Sequence, residues 1–228
     1  MKLLGVLGGM GPAASAEFMV RLTANTPARV DQDHIPAILW SDPRVPDRSA
    51  AILAGSNTPL RRLADGVRGL KIAGCTHIVI PCNTAHHWYD QLCHMDLPII
   101  HIVDSVSEQL RKLKVEGTIG IMGTQGTIES KLYQSRMTDW NTIVPTAHEM
   151  DELVTPGINL VKGGHLTEAT PLFLEAATHL ISRGATAIVL GCTEIPLAVK
   201  DTELGGSPVV NSIDCLALSA IRVFKKLK

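Results

Sequence analysis

Two stretches lying 110 residues apart constrain this chain more than any other feature. Gly74–His86 reads GCTHIVIPCNTAH and Gly184–Pro196 reads GATAIVLGCTEIP. Aligned without a gap, they place Ile78 on Ile188, Val79 on Val189 and Cys82 on Cys192. In each, a glycine closes an amphipathic helix, a short β-branched run follows, and a cysteine stands where the run becomes a loop. A short apolar run bounded by turn residues reads as a buried parallel strand. Ligands of open α/β sheets gather at the carboxyl ends of such strands. The two thiols are therefore expected at twin positions, one from each half of a duplicated chain, facing one cleft.

The repeat extends well beyond these stretches. Leu60–Ala73 predicts a helix with Leu60, Leu63, Val67 and Leu70 on one face. Glu168–Arg183 repeats it, with Phe173, Ala177 and Leu180 falling 110 residues after Leu63, Val67 and Leu70. Gly74 and Gly184 supply the C-terminal caps. Pro98–Ser105 and Pro208–Cys215 align at the same offset and pair Asp104 with Asp214. The opening strand, Leu3–Leu7, has a twin as well, since Gly5, Gly8 and Gly11 match Gly120, Gly123 and Gly126 at an offset of 115. Further strands are expected at Ala37–Trp40 and Thr142–Val144, and a further helix within Asp151–Lys162. The fold class that follows is α/β: two similar lobes, each a mainly parallel four-stranded sheet flanked by helices, related by pseudo-twofold symmetry. The helix Asp104–Lys114 is expected to cross to the second lobe and the segment from Ser207 to return. Residues 1–103 with 207–228 then form the first lobe and 104–206 the second, with the active site in the cleft between them.

Composition narrows the function. The formal net charge of −1 argues against a nucleic-acid groove or an anionic membrane surface as partner. No apolar run approaches a membrane span, and Met1–Gly9 lacks the layout of a signal peptide. Five cysteines, an odd number without framework spacing, suit reduced thiols and a cytoplasmic location.

The strand-to-helix turn GGMGP, Gly8–Pro12, carries Pro12 at the first helical position. Such a turn presents backbone N–H groups to an anion, or serves only as a tight turn. It does not meet the dinucleotide fingerprint, which excludes NAD. Ser41–Ser49, SDPRVPDRS, reads as a proline-stiffened loop after the second strand. Arg48 in it is either a carboxylate clamp or a surface arginine paired with Asp47 or Asp42. Thr124 and Thr127 in the second glycine turn, GTQGT, are either ligand contacts or helix caps. Lys162 is either a site cation or a charge on a helix C-terminus.

Thiols serve as nucleophiles, metal ligands, redox partners or acid–base groups. Cys192 has no neighbouring histidine, so zinc fits poorly, and C-x-x-C is absent, so a redox dithiol fits poorly too. A single-cysteine hydrolase would leave one thiol idle. Two equivalent thiols across a pseudo-twofold cleft suit a symmetric reaction, in which one removes a proton from one face of a carbon while the other delivers one to the opposite face. That inverts a stereocentre. Cys75, Cys93 and Cys215 read as structural thiols, and His86 and His87 as solvated histidines after a helix start or as groups tuning Cys82.

GGMGP, DPRVPDR, PCNTAH, GTQGT and GCTE, in this order along essentially the whole chain, resemble the aspartate/glutamate racemase family, most closely its aspartate branch. The resemblance implies a cofactor-independent enzyme that interconverts L- and D-amino acids, acts on a small-molecule amino-acid substrate and is a homodimer. It implies Cys82 and Cys192 as the catalytic pair. It implies α-carboxylate and ammonium contacts from Asn83, Thr84, Thr124, Thr127 and Thr193, with backbone from Gly9, Met10 and Gly11. It also implies a side-chain carboxylate held by Arg48 and Lys162, and Glu194, directly after Cys192-Thr193, is a further candidate. The competing expectations are a glutamate or broad-specificity racemase, a hydantoin racemase, a dicarboxylate cis–trans isomerase, and an amino-acid-binding regulatory protein without turnover.

Overall fold

The computed structural model describes residues 2–226; Met1 and residues 227–228, which the sequence assigns to the first lobe, lie outside it. Its strands are β1 (Leu4–Gly8), β2 (Ala37–Ser41), β3 (His77–Val79), β4 (Ile99–Ile100), β5 (Thr118–Met122), β6 (Asn141–Ile143), β7 (Ala185–Leu190), β8 (Glu203–Leu204) and β9 (Ser207–Asn211). They form two sheets. The first has the order β2-β1-β3-β4 and is parallel throughout. The second has the order β6-β5-β7-β9-β8, parallel except for the short β8 at its edge. The sequence expects four strands in each. The fifth comes from the hairpin β8–β9, whose Gly205-Gly206 turn has positive φ at both residues.

The helices are α1 (Pro12–Asn25), α2 (Arg48–Leu53), α3 (Thr58–Ile72), α4 (Tyr89–Cys93), α5 (Ile102–Lys112), α6 (Gln125–Glu129), α7 (Ala147–Glu149), α8 (Thr155–Lys162), α9 (Leu166–Ser182), α10 (Ile195–Ala198) and α11 (Ser212–Lys226). The duplicated pair α3 and α9 ends as expected at glycines of positive φ, Gly74 and Gly184. Leu63, Val67 and Leu70, and their counterparts Phe173, Ala177 and Leu180, are all fully buried.

The apolar residues fall into three clusters, and their arrangement explains how two lobes become one body. Leu63, Val67 and Leu70 of α3 pack on the outer side of the first sheet with Leu7, Ile78 and Ile80. Phe173, Ala177 and Leu180 of α9 do the same for the second sheet with Ile188 and Leu190, joined by Ile158 and Val161 of α8. Between the sheets lies a shared core. Leu4, Val6 and Val79 from one sheet and Ile119, Ile121, Val189 and Val210 from the other meet Phe18 of α1, Val106 of α5 and Leu216 of α11 there. Alternate residues of β1, β3 and β7 thus serve different clusters, so these strands are buried on both faces, as parallel strands covered by helices are.

Three expectations need correction. The strand Ser207–Asn211 does not return to the first lobe but pairs with β7 inside the second sheet; only α11 beyond it packs on α1 and α5. Arg48 is not in the loop but opens α2, because Asp47 accepts a hydrogen bond from the Ala50 N–H at 2.8 Å and caps that helix. The helix before Lys162 starts earlier than Pro156, at the Thr146 capping box, and passes through a π turn at Met150–Val154.

The first glycine turn depends on a backbone conformation reserved for glycine. Gly9 has φ +92°, and a Cβ there would lie 2.4 Å from the Asp42 backbone N and C. Neither strain can relax without separating β1 from the end of β2. Gly9→Ala is therefore expected to lower stability by about 2 kcal/mol or more, read as a shift of the urea midpoint at unchanged slope.

Candidate active site

Both cysteines stand where the repeat puts them, just beyond the carboxyl ends of β3 and β7, and both are buried, Cys82 at 4% and Cys192 at 3% exposure. They line a single cavity together with Met10, Asp47, Arg48, Ser49, Asn83, Thr84, Thr124, Lys162, Thr193 and Glu194. The cavity is narrow. Its space for a water-sized sphere is about 20 Å³, room for roughly one water molecule. Asp47, Arg48, Lys162 and Glu194 also line a second, wider cavity of about 500 Å³ on the outer side.

Of the residues singled out from sequence, Gly9, Gly11 and Thr127 do not line the cavity that holds the thiols. The Gly9 N–H donates to Ser15 Oγ at 2.8 Å, and the Gly11 N–H donates to Glu194 Oε1 at 3.0 Å. Two of the three amides of the first glycine turn are thus already engaged within the protein, and both glycines face the outer cavity instead. Thr127 lies one step behind the cavity wall. Its hydroxyl and those of Thr84 and Thr124 form a triangle with sides of 2.9 to 3.0 Å across the two lobes. Thr124 is also the cap of α6, accepting from the Thr127 N–H at 3.2 Å, so the capping and lining roles coexist in one residue.

Charge is distributed unequally around the two sulfurs. Burial pushes both thiols above their ordinary range, because an ionised sulfur loses its hydration. At Cys82 the nearby Arg48 guanidinium pulls the other way, against both burial and the Glu194 carboxylate. At Cys192 the Glu194 carboxylate adds to burial, and the thiol is pushed up further. The Cys192 Sγ donates to Glu194 Oε2 at 3.1 Å, and the Thr193 hydroxyl donates to the same oxygen at 3.2 Å. Arg48 is held by its Nη1, which donates to the Val45 and Pro46 carbonyls at 3.2 and 3.1 Å, while its buried Nε has no hydrogen-bond partner among the described residues. A buried unpaired donor on a cation is costly unless an anion completes it. Among the described residues, no group of three or more His, Cys, Asp or Glu is placed to hold a metal ion.

Other site members carry little signal in the sequence. Ser49 lines the cavity and accepts from the Gly126 N–H at 3.3 Å, joining α2 to α6 across the lobes; its position beside Arg48 is its only mark. Tyr133 and Ser212 hold the Asn83 amide from behind. His86 is not solvated. It is 2% exposed, with Nδ1 2.9 Å from the Cys82 carbonyl and Nε2 accepting from the Ile102 N–H at 3.2 Å. With Nε2 as acceptor, Nδ1 carries the proton, so the ring is neutral and links the Cys82 turn to the start of α5. His101, without an expected role, caps that helix by accepting from the Val103 N–H at 3.1 Å. His87, by contrast, is exposed, as expected of a solvated histidine. The free thiols Cys75 and Cys215 are buried and lie outside the cavity, and Cys93 is half-buried.

The site defines a class: an α/β protein with two buried cysteines, one beyond each sheet, lining one cavity. The Asp/Glu/Hydantoin racemase family model matches residues 7–220. The chain belongs to this family and is an isomerase of the racemase type. A broad specificity amino-acid racemase of Bacillus subtilis, RacX, is 24% identical over 229 residues, 97% of this chain and 98% of that protein. A glutamate racemase of Listeria monocytogenes is 31% identical over 153 residues, 64% of this chain but only 54% of the relative's length. Among solved structures, the aspartate racemase of Picrophilus torridus superposes with a TM-score of 0.85 at 28% identity, covering 98% of this chain and 94% of that one.

The neutral, buried His86 has a measurable consequence. Burial lowers its pKa from 6.5 to about 4. In the unfolded chain the ring binds a proton as pH falls below 6.5, but in the folded protein only near 4. The unfolded state therefore holds more protons across that window, and stability falls as pH drops from 6.5 to 4. The full effect is about 3 kcal/mol. Urea midpoints between pH 7 and 4 are expected to fall, and His86→Gln is expected to flatten that slope.

Proposed function

We propose that this protein racemises an acidic amino acid, interconverting L- and D-aspartate, without a cofactor and by a two-base mechanism in which Cys82 and Cys192 act on opposite faces of Cα. The observation that carries this reading is that both sulfurs and both candidate cations, Arg48 and Lys162, line one cavity. The α-proton of an amino acid is very weakly acidic. Without an electron sink, the developing enediolate must be stabilised by fixed donors, here the remaining amide N–H of Asn83, the threonine hydroxyls and the Met10 backbone. Arg48 Nε and the Lys162 ammonium take the distal carboxylate and hold Cα between the sulfurs.

The unequal surroundings of the sulfurs rank them as acids. Both are pushed up by burial, but Cys82, beside a guanidinium, gives up its proton more readily than Cys192, which donates to a carboxylate. One face of the substrate thus meets a base and the other an acid. Thr127, behind Thr84 and Thr124, orients their hydroxyls, and Glu194 orients the Cys192 and Thr193 donors. Gly9 and Gly11 shape the entrance. Five free cysteines in the described residues suit a reducing, cytoplasmic setting.

The wider outer cavity favours a second reading, racemisation of several amino acids. Its wall includes Ala13, Pro43, Val161 and Leu197, an apolar surface that accepts larger side chains, and the full-length relative from Bacillus subtilis carries a broad-specificity name.

Proton NMR of L-Asp, D-Asp, L-Glu and D-Glu with the enzyme in deuterium oxide, followed by chiral separation, tests the proposal. Loss of the aspartate α-proton together with appearance of the opposite enantiomer is expected. Cys82→Ser and Cys192→Ser should each lower inversion by at least about a hundredfold, while leaving exchange of one enantiomer's α-hydrogen. Full racemisation surviving either substitution, or a requirement for an added coenzyme, would overturn the two-thiol mechanism. Arg48→Lys separates the two readings. It should raise KM for aspartate by about tenfold or more if the guanidinium holds the distal carboxylate, and leave neutral amino acids unaffected if these are substrates.

A further inference from the structure

A line of hydrogen bonds behind the cavity joins the two sulfur-bearing segments. The Tyr133 hydroxyl donates to Asn83 Oδ1 at 2.7 Å, Asn83 Nδ2 donates to Ser212 Oγ at 3.1 Å, and the Ser212 hydroxyl donates to the Leu190 carbonyl at 2.7 Å. Only one assignment of protons satisfies it. The carbonyl only accepts, so the serine proton goes to Leu190. The serine oxygen then takes an N–H of Asn83, and the amide oxygen is left for the phenol. The orientation of the Asn83 amide follows, and Asn83 itself lines the cavity.

The positions of these four residues give the line its meaning. Asn83 directly follows Cys82, and Leu190 is separated from Cys192 by Gly191 alone. Ser212 opens α11, whose Ile213, Leu216, Ala217 and Ala220 are buried in the core between the sheets. Asn211 Oδ1 fixes that helix start by accepting from the Ile213 N–H at 2.9 Å. Tyr133 and Ser212 are fully buried, and Asn83 is 2% exposed. Each bond is thus shielded from water and anchored on a helix or a packed ring.

We infer that Tyr133 and Ser212 are positioning residues that set the separation of the Cys82 and Cys192 sulfurs, by tying the first segment to the second through α11. The inference rests on the two-thiol reading above. Proton transfer across a carbon needs both sulfurs at reach of the same atom, and a misplacement of about 1 Å costs on the order of a hundredfold. Neither side chain lines the cavity, so neither touches substrate. Their removal loosens the spacing without removing a reacting group.

Exchange and inversion respond differently to that spacing. One correctly placed thiol suffices to remove an α-hydrogen and return a deuteron to the same face; inversion needs the second thiol as well. Tyr133→Phe, Ser212→Ala and Ser212→Thr are compared with the unaltered protein for melting temperature, α-deuterium uptake from deuterium oxide and formation of the opposite enantiomer. Tyr133→Phe and Ser212→Ala are expected to keep uptake within about threefold but to lower inversion at least about tenfold, so that the ratio of uptake to inversion rises. Ser212→Thr, which keeps the hydroxyl, is expected to restore the ratio. A parallel fall of both rates at constant ratio, or no change in either, would overturn the inference. Should Ser212→Ala fail to fold, Tyr133→Phe, which deletes one oxygen, decides alone. An unaltered protein that inverts no amino acid would remove the two-thiol reading and this inference together; a failure of the inference alone leaves the unaltered protein inverting.

Discussion

Two sulfurs buried against one small polar cavity impose the constraint on which the rest of this structure depends. A thiolate is a poor base in water and a costly one in an apolar interior, where desolvation disfavours its charge. The chain brings both thiols to less than 5% exposure and then surrounds them with fixed charges and donors rather than solvent. Arg48, Glu194, Asn83 and the three threonines are all held in place by bonds within the protein. The field around each sulfur is therefore set before any substrate arrives.

The shared core provides the rigidity this demands. In a cleft between independently moving lobes, the distance between the sulfurs would vary with each domain motion. Here the two sheets bury their inner faces against the same helices, α1, α5 and α11. Bridges then cross at the level of the site, among them Gly11 to Glu194, Ser49 to Gly126, Asn83 to Tyr133, and Thr84 to Thr124 and Thr127. The strands that carry the sulfurs are thus tied to one another both through the core and at the site.

Much of this was legible in the sequence because duplication makes its own evidence. Matching apolar residues of α3 and α9, capping glycines and twin cysteines each repeat at one offset, and residues that repeat together share a structural reason. Less was legible where the halves differ. The hairpin β8–β9 gave the second sheet a strand with no counterpart, since strand pairing is decided by contacts far along the chain rather than by local pattern. Arg48 reads as loop because Pro43 and Pro46 stand shortly before it, yet one hydrogen bond to Asp47 starts a helix there. His86 reads as solvated because a histidine in a polar turn usually is; its burial depends on Ile102, sixteen residues on, offering an N–H. Tyr133 and Ser212 left no signal at all, because a lone hydroxyl acquires its partner only from the fold.

The departure from symmetry matters more than the symmetry itself. A perfectly duplicated site would surround both sulfurs alike, and two equivalent thiols would share one protonation state. The proposed two-thiol inversion requires opposite states, a base on one face and an acid on the other. The first half supplies a guanidinium beside Cys82, and the second supplies a carboxylate beside Cys192. In the proposed two-thiol mechanism one turnover would reverse the proton pattern and leave the charge beside the carboxylate, the less favourable arrangement. Glu194 has no equivalent at the matching position of the first repeat, where Thr84 stands. Its carboxylate raises both thiols, but only at Cys82 does a guanidinium oppose it, so a charge on Cys192 is the costlier of the two.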